Sequence, residues 1–419
     1  MEWLSAERLA DWAAEARERW NVPGIAVGIW RDGETVSAAD GLCELGRPET
    51  VSPDTVFQIA SITKPFTATL AMTLVQDGLL ALDERPPRSK LDATVRQLLS
   101  HQGGLACEWP EPLDGFGDAD DALLRLTEGK PELLPVGPGE LFSYCNAGFW
   151  FVAAAIARAL GTSFEEAMRT RVLDPLGLRL TGFEAEQSAR GHDQVEPGAA
   201  EHATTEKTYP RVRRPSGGLW SSVTDLLRFA AHHLGGPGPL TPASIAEMQR
   251  PQIALAGGSY GLGWLLAETR ALPTVEHAGS AVGFQSLLLL VPQDRVAVAA
   301  LTNSSRGSAA IRDVLERLGL GPARVAERDL SIAELAALTG RYQGQDFELE
   351  IATEDGGLSV AAAEVDPFSR ETQVYPTVHG RPVAEREFEI PDGEWRSERF
   401  DFPREGFVRF LGRLAARTE

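Results

Sequence analysis

A serine and a lysine three residues apart, in Ser61-Ile62-Thr63-Lys64, open an apolar stretch that continues through Ala71, Leu74 and Leu79-Leu80. Three residues make nearly one helical turn, so a helix starting here projects both side chains to one side. Pro65 is compatible with that start, because first-turn N–H groups have no intrahelical partner. Those N–H groups and the positive end of the helix dipole can stabilise an anion. A hydroxyl nucleophile, an adjacent amine and an oxyanion-binding helix end are the parts of acyl-transfer chemistry. A plain reading fits the same pattern, with Ser61 capping the helix and Lys64 in water. The chain has four lysines among 40 basic residues: Lys64, Lys90, Lys130 and Lys207. Lysine, unlike arginine, can lose its proton when buried or beside another charge. A catalytic amine therefore has four candidates.

Two later groups offer complementary chemistry. In Tyr144-Cys145-Asn146, spacing of two aims a phenol and an amide the same way. An aromatic anchor followed by an Asn cap would look identical. In His277-Ala278-Gly279-Ser280, after a short strand at 274–276, Gly279 permits close backbone approach and the strand edge can pair with a peptide-like substrate. A structural histidine is the alternative. A rival serine stands in Gly257-Gly258-Ser259-Tyr260-Gly261, which formally matches G-x-S-x-G. It lacks the long hydrophobic strand before it and the helix after it that a nucleophile elbow needs, so it reads as a chance match. Three cysteines, Cys43, Cys107 and Cys145, make no disulfide framework, and Cys145 reads as a space-filler. No Cys/His cluster has zinc spacing and no HExxH occurs, so neither metal nor cofactor is implied.

The elements that must position these groups follow from the pattern. Residues 7–20 suit an amphipathic surface helix. Residues 22–30 and 34–39 form a β-hairpin about Arg31-Asp32-Gly33. A mostly helical block runs from Ser61 to about Gly182, broken by Gly/Pro loops at 103–104, 110–117 and 135–139. Residues 184–215 read as a loop or lid, and 222–234 as a helix. Residues 274–303 are strongly β, with Pro292-Gln293-Asp294 as a turn, and 309–318 are helical. The expected fold is α/β. Strands from both ends of the first 320 residues share one antiparallel sheet flanked by helices, with an all-helical region inserted. From about residue 330 short strands recur at 347–351, 358–362, 373–378, 387–390, 395–402 and 407–410, which suits a small antiparallel barrel. The boundaries read as a catalytic unit over 1–325 and a barrel over 330–419.

Taken in order, the three groups resemble the serine penicillin-recognising, β-lactamase-like family. It includes class C β-lactamases, D-Ala-D-Ala peptidases, and related esterases and D-aminopeptidases. Supporting segments are similar too: Val22-Pro23-Gly24, Leu98-Leu99-Ser100-His101-Gln102-Gly103-Gly104-Leu105, Asp174-Pro175-Leu176-Gly177-Leu178, Gly217-Gly218-Leu219 and Tyr260-Gly261-Leu262-Gly263-Trp264. The resemblance covers about residues 5–320 and implies an active site between the sheet and the helical region. It implies that Ser61 attacks a carbonyl to form an acyl-enzyme, with Lys64 or Tyr144 taking its proton. Asn146 would hold the substrate amide or the lysine amine, and the N–H groups of Ser61 and Ser280 would form the oxyanion hole. His277 would flank Tyr144 and steer the leaving group or protons, with Gly279 at the substrate edge.

One departure matters. His277 stands where β-lactamases usually carry Lys, and a mostly neutral imidazole offers no permanent charge to a substrate carboxylate. That favours an esterase, D-aminopeptidase or related amidase over a β-lactamase. The end domain resembles the lipocalin-like barrels of some relatives, and the two-part design resembles penicillin-binding-protein-type thioesterases that release or cyclise peptides. A non-turnover acyl-binding receptor is a further alternative.

Composition bounds the partners. Acids outnumber bases 60 to 40, giving a net charge of −20. That argues against nucleic acid and against an anionic membrane surface, and for a small-molecule or peptide substrate. The first residues lack the basic start and apolar core of a signal peptide, and no apolar run reaches the roughly 20 residues of a membrane span. A cytoplasmic protein is the expectation, with oligomeric state left open.

Overall fold

The computed structural model describes all residues except 1–4, 108, 110–111, 186–187, 195–200, 205–208, 270–271, 324, 366–371, 393–396 and 419. The candidate Lys207 and parts of the 184–215 loop and the 395–402 strand thus lie outside the described residues.

An eight-stranded antiparallel sheet forms the first layer. Strand Gly24–Arg31 pairs with Glu34–Gly41 on one side and with Val296–Thr302 on the other, so segments from both ends of the first 320 residues meet within the sheet. Phe284–Val291 and Leu272–Ala281 follow, then Leu265–Thr269, Gly258–Tyr260 and Ile253–Leu255 at the far edge. Of these last three strands, the sequence marks only 262–266 as strand-like, and Gly258–Tyr260 and Ile253–Leu255 are additions to that reading. Glycines at 257, 258, 261 and 263 interrupt the alternation that would have marked them. A correction concerns the third group. His277 lies inside a ten-residue strand, not after a short one, because pairing with Phe284–Val291 continues to Ala281 opposite Phe284. Cross-strand pairing overrides the weak β-preference of Ala278-Gly279.

Helices Ala6–Arg19 and Gly307–Arg317 cover one sheet face around Leu9, Ala13, Val298 and Ile311. Val223–His233 lies against the other face, so closely that a Cβ at Gly28 would meet Val223 at 2.5 Å. Beyond it sit two helices that are enclosed nearly all round. Thr63–Gln76 buries every residue from Thr63 to Leu74, and Ala147–Leu160 buries every residue from Ala147 to Ala157. The buried threonines of the first are satisfied: Thr67 donates to the Pro215 carbonyl and Thr69 bonds His233. Among the described residues no single helix is long and apolar enough to cross a membrane.

The end domain is a closed eight-stranded antiparallel barrel. Gly340–Gln343 pairs with both Phe347–Glu354 and Arg413–Arg417, which closes the ring; Thr372–Val374 is an added outer strand. Its interior is packed with side chains, including Phe388 stacked on Phe400 at 5.2 Å, Phe402, Tyr342 and Leu358. The first and last barrel strands were not expected from sequence. Leu414-Ala415-Ala416 has helical rather than strand preference, and only barrel closure makes it a strand.

Candidate active site

The chain enters the site along the short strand Phe57–Gln58, then turns at Ala60 into a 3₁₀ turn and the enclosed helix. Ala60 has φ +44°, left-handed for a residue with a Cβ. Such strain is tolerated where surrounding contacts over-determine the backbone. Here the Ile59 N–H donates to Leu219 and the Ile59 carbonyl accepts from Ser286 Oγ at 3.0 Å. The turn presents Ser61, which is the N-cap of neither element; those positions fall on Ile59 and Ile62.

Two groups converge on that hydroxyl. Lys64 Nζ lies 3.0 Å from Ser61 Oγ, and the Tyr144 hydroxyl lies 2.8 Å from it. Lys64 is fully buried, while Lys90 and Lys130 are exposed. Its ammonium also donates to the Ser216 carbonyl at 2.8 Å and sits 4.6 Å from the Tyr144 ring centre. Trp150 Nε1–H holds the Ser216 hydroxyl at 2.9 Å, so the acceptor for Lys64 is itself anchored in the core. Asn146 lines the same cleft at the head of helix Ala147–Leu160.

The His277 strand forms the opposite wall. Its pairing with Leu265–Thr269 ends at Glu276, while residues 277–281 remain paired with Phe284–Val291. Residues 277–280 line the cleft. Gly279 packs directly on the turn before Ser61: a Cβ there would lie 2.1 Å from the Ile59 oxygen. His277 has both ring nitrogens engaged, Nε2 with the Tyr260 hydroxyl at 3.0 Å and Nδ1 with the Ala278 carbonyl at 2.7 Å. Burial, aided by the Lys64 cation, pulls its pKa down to about 3. The imidazole stacked on the Tyr144 ring is that of His101, at 4.3 Å. Burial and then Lys64 hold its pKa well below the usual value. Ser259, the rival serine, sits in a three-residue strand paired on both sides, with another strand and not a helix after it.

Sequence reasoning did not assign roles to His101 or Tyr260, although both stand in segments it had singled out. It also missed what the barrel contributes. The turn between the last two barrel strands docks beside Tyr144: the Tyr144 N–H donates to the Gly412 carbonyl at 2.8 Å, and the Leu414 N–H donates to Ser143 Oγ at 3.2 Å. Leu411, at φ +46°, exposes its side chain in the cleft, and Arg413, tied to Asp346, lines it too. The cleft of about 810 Å³ is therefore walled by both units. Among the described residues no His/Cys/Asp/Glu group is arranged to hold a metal ion.

Comparison with known proteins agrees with this architecture. A family model described as Beta-lactamase matches residues 9–320. Penicillin-binding protein 4 of Amycolatopsis lactamdurans is 31% identical over 367 residues, spanning 78% of this chain and 94% of its own. Esterase EstB of Burkholderia gladioli is 30% identical over 325 residues, spanning 63% and 80%. The crystal structure of SurE with D-Leu superposes over 99% of both chains, with a TM-score of 0.75 and 26% identity.

Proposed function

The chain belongs to the Beta-lactamase family of serine hydrolases and penicillin-binding proteins, and on that premise we propose that it cleaves an ester, amide or peptide through an acyl-enzyme on Ser61. The observation that carries this reading is the pair of groups on one hydroxyl, Lys64 Nζ at 3.0 Å and Tyr144 at 2.8 Å. Ser61 Oγ attacks the carbonyl carbon, and its proton passes to Tyr144 or Lys64. The amine shared between Ser61 and Ser216 is poised either to be the base or to favour a phenolate beside it. The tetrahedral oxyanion is received by the N–H groups of Ser61 and Ser280. The leaving alcohol or amine departs with the proton, and an acceptor then takes the acyl group by the reverse sequence. Asn146, His277 and Gly279 line the substrate.

A second reading, acyl transfer to an amine in the manner of the peptide-releasing thioesterases, is favoured by one observation. The barrel turn at 411–413 forms part of the cleft wall, beside the position an acyl acceptor would take. The likeness to SurE extends over both units, and that protein was crystallised with D-Leu. This supports substrates that carry a D-amino acid.

The test is intact-mass labelling by a fluorophosphonate, together with a panel of chromogenic esters, D-amino acid amides, nitrocefin and a peptidyl thioester. Wild-type protein should gain one adduct on Ser61, and Ser61→Ala none. A Ser61→Ala protein that still labels or turns over at the wild-type rate refutes the assignment. Cyclic product from the thioester alone selects the transferase.

A further inference from the structure

Behind the cleft wall, three side chains from separate segments form a hydrogen-bonded chain whose direction is fixed at both ends by backbone groups. At one end the Cys145 N–H, which can only donate, points at His101 Nδ1 at 2.9 Å. That nitrogen is therefore bare, and a neutral His101 carries its proton on Nε2, 3.2 Å from the Tyr260 oxygen. At the other end the Ala278 carbonyl, which can only accept, lies 2.7 Å from His277 Nδ1. His277 thus carries its proton on Nδ1, and its bare Nε2 accepts the Tyr260 O–H at 3.0 Å. Each ring nitrogen and the phenol have one role, and all are filled.

The chain admits no extra proton. A protonated His277 would aim a second N–H at the Tyr260 oxygen, which already receives one from His101, and would strand the phenol's own hydrogen. The three groups are also almost closed to solvent, with His101, Tyr260 and His277 at 2%, 3% and 6% exposure. Leaving a buried donor without a partner is costly. The Lys64 cation acts in the same direction, against the acidic side chains of Glu276, Glu398 and Asp401 that also line the cleft. Lys64, on the enclosed helix, opposes a charge on either imidazole. The Tyr144 phenol stacks on His101, and Arg213, Arg409 and Arg413 line the same cleft, with Asp401 paired to Arg409. Burial likewise holds the Tyr260 phenol well above its usual pKa, so it stays a donor.

We propose that Tyr260 and His101 are positioning residues of the active site. They fix His277 as a neutral imidazole with no nitrogen left for substrate, and they tie the strand of Gly279 to the loop that carries Tyr144. The preferred acyl donors are then those with no carboxylate at the His277 position. This inference rests on the acyl-enzyme reading above and assigns its substrate class.

The test uses the full chain. Long-range ¹⁵N NMR of the seven histidines should find His101 and His277 as opposite neutral tautomers, Nε2–H and Nδ1–H, both unprotonated down to pH 5. Either ring titrating near its ordinary value of about 6.5 overturns the proposal. Tyr260→Phe should lower the rate of Ser61 acylation by about tenfold or more, as a loosened constellation does, mainly in kcat. It should also introduce an imidazole ionisation between pH 5 and 7, read by the same ¹⁵N NMR, that wild type lacks. His277→Lys should raise the preference for 4-(butyryloxy)benzoate over 4-nitrophenyl butyrate. A Tyr260→Phe protein with the wild-type pH profile overturns the positioning role, and a His277→Lys protein with unchanged ester preference overturns the specificity role. Fluorophosphonate labelling of wild-type Ser61 separates these failures from failure of the acyl-enzyme reading itself.

Discussion

Adding one methyl group at Gly279 should disable the site from the opposite wall. A Cβ there would lie 2.1 Å from the Ile59 carbonyl oxygen and 2.4 Å from Ser286 Oγ, where ordinary contact begins at 3.4 Å, so about 1.3 Å must be found at the carbonyl. The carbonyl has little freedom to yield. It accepts from Ser286 Oγ at 3.0 Å and from the Ile62 N–H at 3.1 Å, and the Ile59 N–H is held by Leu219 at 3.0 Å. Displacement therefore passes into Ala60, already left-handed, and on to Ser61. A shift of even 1 Å would stretch the Lys64 and Tyr144 contacts of 3.0 and 2.8 Å beyond hydrogen-bond reach. Misplacement on that scale costs about 100-fold in rate, and the overpacking itself costs about 1–3 kcal/mol of stability. Gly279→Ala should thus lower the second-order rate of fluorophosphonate labelling about 100-fold, with a lower melting temperature but a folded far-UV spectrum. Adding Ser286→Ala clears the 2.4 Å contact and leaves the 2.1 Å one, so it should not restore the rate. Labelling of Gly279→Ala within twofold of wild type would refute the coupling between the two walls.

Other outcomes follow from the same geometry. Ser143→Ala removes the acceptor for the buried Leu414 N–H, a loss of about 1–3 kcal/mol. It should lower acylation and melting temperature together, and unchanged ester turnover would mean that the barrel turn does not hold Tyr144. Burial depresses the pKa of His233, in the core beside Trp264, to about 3. A depressed histidine stabilises the fold above its unfolded value of about 6.5 and loses that contribution as pH falls toward its folded value. Between pH 7 and 5 the loss is about 2 kcal/mol. Urea titrations of His233→Gln against wild type at the two pH values should differ by that amount, and parallel pH slopes would contradict it. The comparison with wild type is needed because Glu276, raised to about 7 by burial, works in the opposite direction over the same range.

The readable parts of the site were the local ones. Ser61 and Lys64 share a helical turn, so their approach is dictated within four residues, and the scarcity of lysine drew attention to that amine. The sheet was legible where apolar runs were near-continuous, in Gly24–Arg31 and Val296–Thr302, and harder to read where glycines cluster, from 257 to 263. The His101–Tyr260–His277 chain was out of reach because its links join residues 159 and 17 positions apart. No short-range pattern encodes a tautomer. The approach of Gly412 to Tyr144 depends on how the barrel docks, and docking is a property of two finished surfaces. Both ring nitrogens of His277 are engaged by Tyr260 and Ala278, which its position in the third group did not suggest.

The sheet's longest-range pairing also has a temporal side. Ile25 finds Thr302 opposite it, so the first strand made must wait for nearly the whole catalytic unit before its inner neighbour exists. Contacts so distant in sequence form slowly, and until then the apolar Ile25-Ala26-Val27 edge is uncovered on the growing chain. The barrel turn at 411–413 is synthesised later still, and the carbonyl that steadies Tyr144 arrives with it. The part of the cleft wall that the barrel supplies is therefore in place only when synthesis reaches the final strand. A ribosome-bound or truncated chain lacking those residues would carry the serine, the lysine and the tyrosine without the wall that completes their cleft.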